Sequence, residues 1–329
     1  MGRPSTTPPR LCKSPPSRGG QPFRNQPFGT RRSGYGARRL MSTDTTQLQP
    51  PPKRPPNPFV QAIEAVGGTI TKTVEDIGGL ATLLIDVIRW GVRPPFRVVN
   101  LMAQLDFVGV GSVLIVALTG IFSGMVFAHQ SARAFEMFNA KSLVGPTVTL
   151  TITRELAPVF SALMVTMRAG SAMCTELGTM RVSEQIDALA CLGVDPVKHL
   201  VAPRFLACLL MIPMLTVFAD IAGLVGCTII CLHVYGIDTH HYWEQSRNYV
   251  GVWDVFVGVA KAFVLGGVMA LITCHRGFHS KAGAAGVGRA ATQAFVFAFV
   301  SIIVLDFVLS MFANSVHDIV WPDAKSKVI

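Results

Sequence analysis

The amino-acid sequence predicts an all-α integral membrane protein, with an N-terminal amphipathic interfacial helix followed by five transmembrane helices. Half of the 329 residues are hydrophobic, only 15% are charged, and the mean hydropathy is +0.45. In an average soluble protein, about a quarter of the residues are charged. Long apolar segments recur along the chain, each near the roughly 20 residues that a helix needs to cross a 30 Å hydrocarbon core. These observations favour a membrane protein.

The N-terminal segment, residues 1–57, is predicted to be a flexible tail because Pro, Gly, Ser and Arg dominate it and leave no packed core. Much of the net charge of +10 lies there, and residues 1–43 contain no acid. We therefore do not interpret the basic balance as binding of a nucleic acid. Met41 is an alternative start, since the acid-free stretch before it has the composition of an organelle transit peptide.

The region 58–106 is predicted to hold an amphipathic helix. Apolar residues recur at steps of three and four between Phe59 and Trp90, with charged residues between them. Glycine pairs at 67–68 and 78–79 interrupt this stripe. We therefore expect the helix to lie in the membrane interface, with a soluble helix or an additional crossing as alternatives.

Five apolar segments within residues 107–315 predict five transmembrane helices, and a short C-terminal tail, residues 316–329, follows them. The predicted spans are Phe107–Ala128, Leu143 to about Met167, Phe205–Leu232, Val255–Cys274 and Ala294–Ala313. If the N-terminus is cytoplasmic, the connecting segments on the cytoplasmic side contain more Lys and Arg residues than those on the opposite side. The positive-inside rule then predicts that orientation, with the loop between the second and third spans also in the cytoplasm.

That loop contains a predicted short helix, residues 183–193. Ser183 is its expected N-cap and Gly193 its expected end. Asp195 and Pro196 are typical of the start of the next helix. Three apolar residues share one face of the short helix: Ile186, Leu189 and Leu192. Such a helix is suited to docking in a groove of a partner protein, although an ordinary connector has the same pattern.

Charged residues lie inside four of the predicted spans: Arg154 and Glu155, Asp220, Lys261, and Asp306. A charge at the bilayer centre costs about 2.5 to 3.5 kcal/mol on insertion scales, so such residues usually face protein or water. Arg154 and Glu155 are consecutive and project about 100° apart on a helix, so each needs its own partner.

Two interpretations of this charged step stay open at this point. In the structural one, Glu155 pairs with Lys261, and Asp220 or Asp306 receives Arg154. In the functional one, Arg154 faces a cavity at the centre of a dimer and offers its guanidinium group to a lipid phosphate. Apolar residues of the first and second spans would then receive the acyl chains, and Pro158 bends the helix to open the pocket.

Several common kinds of site are absent from the sequence. No lysine follows a glycine, so the P-loop motif GxxxxGK[ST] is missing, and no HExxH or CxxC motif occurs. We therefore predict no metal site, and surface or interfacial positions for His233, His240 and His241. The GxxxG motif Gly120–Gly124 in the first span predicts close helix packing.

Five segments resemble the MlaE/YrbE family, the permease subunits of ABC-type lipid transporters that traffic phospholipid between the two envelope membranes. They are RELAPV, RAGSAMCTELGTMRVSEQIDAL, GVDPVKHLVAPR, GVGRAATQAFV and LDFVLS, and the match extends over about residues 59–313. The resemblance implies a homodimeric, non-catalytic permease with the same interfacial helix and five spans.

The resemblance also implies site residues. The lipid cavity would include Arg154, Glu155, Phe138 and Gln130. The coupling helix that contacts the ATPase would include Ser183, Glu184, Gln185, Ile186, Asp187, Ala188 and Leu189.

The implied partners are a second copy of the chain, a cytoplasmic ABC ATPase (MlaF-like), a periplasmic MCE-domain protein (MlaD-like), a STAS-domain subunit on the ATPase (MlaB-like) and a phospholipid substrate. No cofactor is expected on the chain itself, because ATP and Mg²⁺ would bind the ATPase. The implied location is the bacterial inner membrane, with the plastid inner envelope as the alternative. The alternative function is an ion-coupled transporter that uses the intramembrane charges as a relay.

Overall fold

The computed structural model describes residues 58–91, 98–140 and 143–320, and the regular structure in these ranges is helical. The predicted N-terminal tail lies outside them. The chain divides into two units, residues 1–71 and 72–329. The α-helices of the described chain are α1 (Pro58–Gly91), α2 (Val98–Val108), α3 (Val110–Glu136), α4 (Val144–Thr151), α5 (Ala157–Val165), α6 (Ser171–Val182), α7 (Gln185–Cys191), α8 (Ala202–Ile229), α9 (Thr239–Tyr249), α10 (Val252–Phe278) and α11 (Ala284–Val320). Its π-helical turns are π1 (Ile152–Leu156), π2 (Thr166–Gly170), π3 (Val197–Val201) and π4 (Ile230–Val234).

Five helical segments of the described chain are long and apolar enough to cross a membrane, which confirms the predicted class and number of spans. We call them the first to fifth spans: Val98–Glu136, Val144–Val182, Val197–Val234, Val252–Phe278 and Ala284–Ile319. Each is longer than its predicted counterpart. The apolar run marks only the part in hydrocarbon, whereas helical hydrogen bonding continues into the polar interface.

Helix α1 confirms the predicted helical stripe and continues through both glycine pairs. A glycine in a helix interior costs only about 1 kcal/mol, so the packing of an apolar face can outweigh it. In its second half, Leu80 and Leu84 pack with the buried Val87 against the core, whereas Val74 and Ile88 are exposed. Its location in the membrane interface stays a prediction.

The first and third spans are in close contact through small residues. A Cβ atom on Gly120 would lie 2.9 Å from the carbonyl oxygen of Ala219, and one on Gly124 would overlap the backbone of Gly223. The GxxxG motif therefore packs two helices of the same chain, which confirms the predicted packing role.

Burial differs strongly between the spans. In the most apolar part of each span, 61% of the residues are buried in the fourth span and only 11% in the fifth. The fourth span therefore forms the centre of the bundle, and the fifth lies at its periphery.

The second span is irregular, because π1 and π2 interrupt its α-helical turns on either side of α5.

Candidate functional site

The second span places Arg154 and Glu155 in π1, four and three residues before Pro158. Proline has no backbone N–H, so the carbonyl group four residues earlier, that of Arg154, loses its usual helical donor. The side chain of Lys261 replaces this donor, since its Nζ donates to the Arg154 carbonyl oxygen at 2.8 Å. A side chain of the fourth span thus satisfies the irregular backbone of the second.

Lys261 is buried and forms the centre of a charge cluster. Its Nζ lies 2.7 Å from Glu155 Oε2 and 2.9 Å from Asp306 Oδ1, and donates to Ser310 Oγ at 2.7 Å. The predicted pair between Glu155 and Lys261 is confirmed. Because an ammonium group has three protons, the Arg154 carbonyl, Glu155 and Ser310 account for all of its hydrogen bonds, and Asp306 adds charge compensation.

The fifth span contributes a stripe of polar residues to this cluster. Asp306, Ser310 and Asn314 are spaced by four residues and therefore share one face of α11. Ser310 Oγ lies 2.9 Å from Glu155 Oε2, and Asn314 Oδ1 accepts a hydrogen bond from Arg154 Nη2. The polar face of the fifth span is therefore directed at the second and fourth spans.

Arg154 has partners other than those predicted. Its Nε lies 3.7 Å from Asp254 Oδ1, in addition to the hydrogen bond with Asn314. The prediction that Asp220 or Asp306 receives Arg154 is therefore wrong, because Lys261 engages Asp306. Asp254 is fixed by the N-terminus of α10, where its Oδ2 accepts a hydrogen bond from the Gly251 N–H at 2.9 Å.

Asp220 is a separate feature of the third span. Its side chain is buried in α8, and its Oδ1 has no hydrogen-bond partner within the part of the chain that the structure describes. It does not join the charge cluster, which we define as Arg154, Glu155, Asp254, Lys261 and Asp306. Of the intramembrane charges in the sequence, only Asp220 lies apart.

An apolar groove of about 280 Å³ lies between the fourth and fifth spans, beside the charge cluster. Lys261 is part of its wall. Its apolar lining includes Trp253, Phe256, Phe312 and Val316. Concave, mainly apolar sites with a few polar groups at one side are typical of binding sites for small amphipathic molecules.

The four residues that the resemblance assigns to the lipid cavity do not form one site in this structure. Arg154 and Glu155 belong to the charge cluster. Gln130, in α3, and Phe138, in the turn that follows α3, are exposed and do not line the groove. Their assignment to a lipid cavity stays a prediction.

The short helix between the second and third spans is present as α7, but it begins later than predicted. Ser183 is not its N-cap, because it ends α6 and its Oγ donates to the Thr179 carbonyl at 2.8 Å. Glu184 precedes α7 in a left-handed conformation, with φ +58°. Gly193 confirms the predicted end, since its φ of +76° is the left-handed conformation that terminates helices.

The apolar face predicted for this helix is divided in the structure. Ile186 is buried, Leu189 is half-buried, and Leu192 is 78% exposed. Asp187 pairs with Arg181 at 2.6 Å on the exposed side. One apolar residue therefore holds α7 to the bundle, while Leu192 and the acidic side remain accessible.

The histidines and cysteines show no metal-binding arrangement in the described ranges, where no cluster of three His, Cys, Asp or Glu side chains is placed to hold an ion. His240 lies 3.7 Å from Glu244 on the exposed surface of α9. The cysteines described there are free thiols.

Three residues of the site were not singled out by sequence reasoning: Asp254, Ser310 and Asn314. Asp254 directly precedes the predicted fourth span, so the apolar pattern of that span does not include it. Ser310 and Asn314 carry a recognisable signal, because they continue from Asp306 at steps of four through an apolar helix.

Comparisons with known proteins agree with this architecture. The family model described as Permease MlaE matches residues 101–312. A probable ABC transporter permease of Rickettsia felis is 36% identical over 75% of this chain and 95% of its own length. A probable ABC transporter permease of Synechocystis sp. is 40% identical over 64% of this chain and 80% of its own length.

A plant relative is also similar. The chloroplastic protein TRIGALACTOSYLDIACYLGLYCEROL 1 of Arabidopsis thaliana is 37% identical over 65% of this chain and 61% of its own length. The family model covers more than half of the chain, and the five spans of this structure agree with a membrane permease. The chain therefore belongs to the MlaE family of ABC transporter permeases.

Proposed function

We propose that this chain is the transmembrane subunit that moves phospholipid between two envelope membranes, driven by ATP hydrolysis in a separate ATPase. The observation that carries the proposal is the partly exposed Arg154 of the charge cluster beside an apolar groove. A guanidinium fork matches phosphate oxygens, and an apolar groove is suited to acyl chains. The two halves of a phospholipid thus have separate places to bind.

The name of a relative supports a lipid as the transported class. Trigalactosyldiacylglycerol, which names the Arabidopsis protein, is a glycerolipid with a polar headgroup and two acyl chains. An amphipathic cargo of this type agrees with a site that joins charged and apolar surfaces.

The predicted coupling to an ATPase is supported by the surface of α7. The exposed Leu192 offers an apolar contact, and Glu184 and Asp187 offer charges next to it. Helices with this combination dock in grooves of partner proteins. In the proposed assembly two copies of the chain form the permease, an MlaF-like ATPase with an MlaB-like subunit binds α7, and an MlaD-like MCE protein lies on the opposite side.

The proposed location is a bacterial inner membrane with the N-terminus in the cytoplasm, which places α7 on the side of the ATPase. The plastid inner envelope is the alternative. Relatives from Synechocystis and from Arabidopsis chloroplasts are compatible with both.

A second candidate is an ion-coupled transporter, which the charge cluster itself favours because intramembrane carboxylates and cations often form ion relays. The two candidates differ in their source of energy. We would reconstitute the chain with and without its co-purified ATPase and follow fluorescent phospholipid between two vesicle populations. ATP-dependent movement only in the presence of the ATPase is expected. Gradient-driven movement by the chain alone would contradict the proposal.

The coupling role is tested by a Glu184→Ala, Asp187→Ala double variant. We expect it to lose the ATPase during co-purification while it remains a folded membrane protein. His240→Ala and Glu244→Ala, which remove an exposed pair in α9, form the matched control. An ATPase that stays bound to the α7 variant as tightly as to the control would exclude α7 as the coupling helix.

A further inference from the structure

The charge cluster has an imbalance of charge that bears on which headgroup it accepts. It joins two cations, Arg154 and Lys261, with three carboxylates, those of Glu155, Asp254 and Asp306. Its formal side-chain charge is therefore −1. In low-dielectric surroundings an imbalance of this kind favours a compensating cation.

The unbalanced charge is not distributed evenly over the cluster. Lys261 is buried and engages Glu155 Oε2 and Asp306 Oδ1. Asp254 is stabilised by the Gly251 N–H and by Arg154. Glu155 differs, because its side chain is 40% exposed and only its Oε2 makes contacts within the described residues. Its second oxygen is therefore the acceptor that a mobile cation can approach.

A cation that reaches Glu155 also lies beside an accessible guanidinium group. The side chain of Arg154 is 22% exposed, although its Nη2 donates to Asn314 and its Nε lies near Asp254. Arg154 and Glu155 are consecutive in π1. Their partners on α11, Asn314 and Ser310, lie about one helical turn apart, so the positive and the negative group reach neighbouring places on the same helix face. This arrangement complements a ligand that carries an anion and a cation a few ångströms apart.

We propose that the Arg154–Glu155 step selects zwitterionic phospholipids, with Arg154 on the phosphate and Glu155 on the ammonium group of the headgroup. The proposal rests on the proposed function, since it names the substrate class of the same site. An anionic lipid such as phosphatidylglycerol would place its phosphate at Arg154 but leave the extra carboxylate uncompensated. The groove beside Trp253 and Phe312 would receive an acyl chain of the bound lipid.

The test measures headgroup preference in the full-length protein. The chain is reconstituted in liposomes with equal amounts of phosphatidylethanolamine, phosphatidylcholine and phosphatidylglycerol, re-extracted in mild detergent, and its retained lipids are counted by mass spectrometry. We expect phosphatidylethanolamine and phosphatidylcholine to be enriched over phosphatidylglycerol by roughly threefold to fivefold, the effect of one partly exposed ion pair. Glu155→Gln should abolish this enrichment while lipid is still retained.

Two further variants make the outcome decisive. Asp254→Asn removes the same formal charge at another carboxylate and should weaken the preference as well, even if Glu155→Gln fails to fold. Glu244→Gln removes an exposed acid in α9 and should leave the preference unchanged. Equal retention of all three headgroups by the unmodified chain would overturn the headgroup inference alone. Retention of no phospholipid at all would overturn the proposed function and this inference with it.

Discussion

The fourth and fifth spans are neighbours, but they are held in the bundle by different forces. The fourth is the most buried span and packs its glycines against backbone of the second and third spans. The fifth exposes most of its apolar surface and contacts the charge cluster through Asp306, Ser310 and Asn314. Close packing positions the fourth span along its length, whereas the fifth is held by these polar contacts and by a narrow buried stripe that includes Ala294 and Ile302.

The difference matters because packing and polar contacts respond differently to change. Apolar association has no hydrophobic driving force inside a bilayer, so close packing of small residues is needed to fix a helix. Polar contacts fix a helix with few residues, and they can be exchanged for contacts with a ligand. We therefore expect the attachment of the fifth span to be more sensitive to single polar substitutions than that of the fourth.

The largest expected effect comes from breaking the polar attachment at its centre. Lys261→Met leaves the carboxylates of Glu155 and Asp306, which lie within apolar spans, without their cation. We expect a loss of about 3 to 5 kcal/mol in the free energy of unfolding. Denaturant titration in mixed micelles measures it.

The control for this variant neutralises the whole group. A triple variant with Lys261→Met, Glu155→Gln and Asp306→Asn removes the unpaired charges and should recover most of the lost stability. If the single variant were as stable as the unmodified chain, the fifth span would not depend on the charge cluster.

A smaller effect is expected from testing the packed helix. A Cβ atom on Gly258 in α10 would overlap the carbonyl oxygen of Thr153, whereas one on Gly288 in α11 would meet nothing within 4 Å. Gly258→Val should therefore lower the free energy of unfolding by about 1 to 3 kcal/mol, and Gly288→Val should change it little. Equal effects at both glycines, in the same titration, would contradict the contrast between the two spans.

The smallest effect is expected at a hydroxyl group of the polar stripe. Ser310→Ala removes contacts with Lys261 and Glu155, so we expect a loss of about 1 to 2 kcal/mol. Ser315 is the matched control, because its Oγ donates only to the Met311 carbonyl within its own helix. In thermal unfolding followed by tryptophan fluorescence, Ser310→Ala should have a lower midpoint temperature than Ser315→Ala. The reverse order would be inconsistent with the proposed attachment of the fifth span.

Much of the fold was predictable because a membrane span requires a helix of about 20 mainly apolar residues. Apolar runs of sufficient length identified the five spans, and periodicity identified α1. Local capping chemistry identified the start of the third span, where Asp195 Oδ1 accepts a hydrogen bond from the Val197 N–H at 2.9 Å. These features depend on residues close together in sequence.

The site was less predictable because its partners are distant in sequence. The pair between Glu155 and Lys261 followed from the small number of charges inside the spans, but the position of Arg154 depends on the rotation of π1. A π-helical turn has no clear sequence signal. Ser183 was also misassigned from sequence, because serine is a preferred N-cap residue. In the structure α6 continues to Val182, and the Ser183 hydroxyl group donates to a carbonyl group of that helix.

The proposed contact between Arg154 and the phosphate of a lipid is tested most directly by counting phospholipid per folded protein after purification from native membranes. Arg154→Gln is compared with Arg247→Gln, which changes an exposed arginine of α9. We predict that Arg154→Gln loses most of its co-purified phospholipid, while Arg247→Gln retains the amount found with the unmodified chain. Equal retention by both variants would contradict the assignment of Arg154 to the lipid.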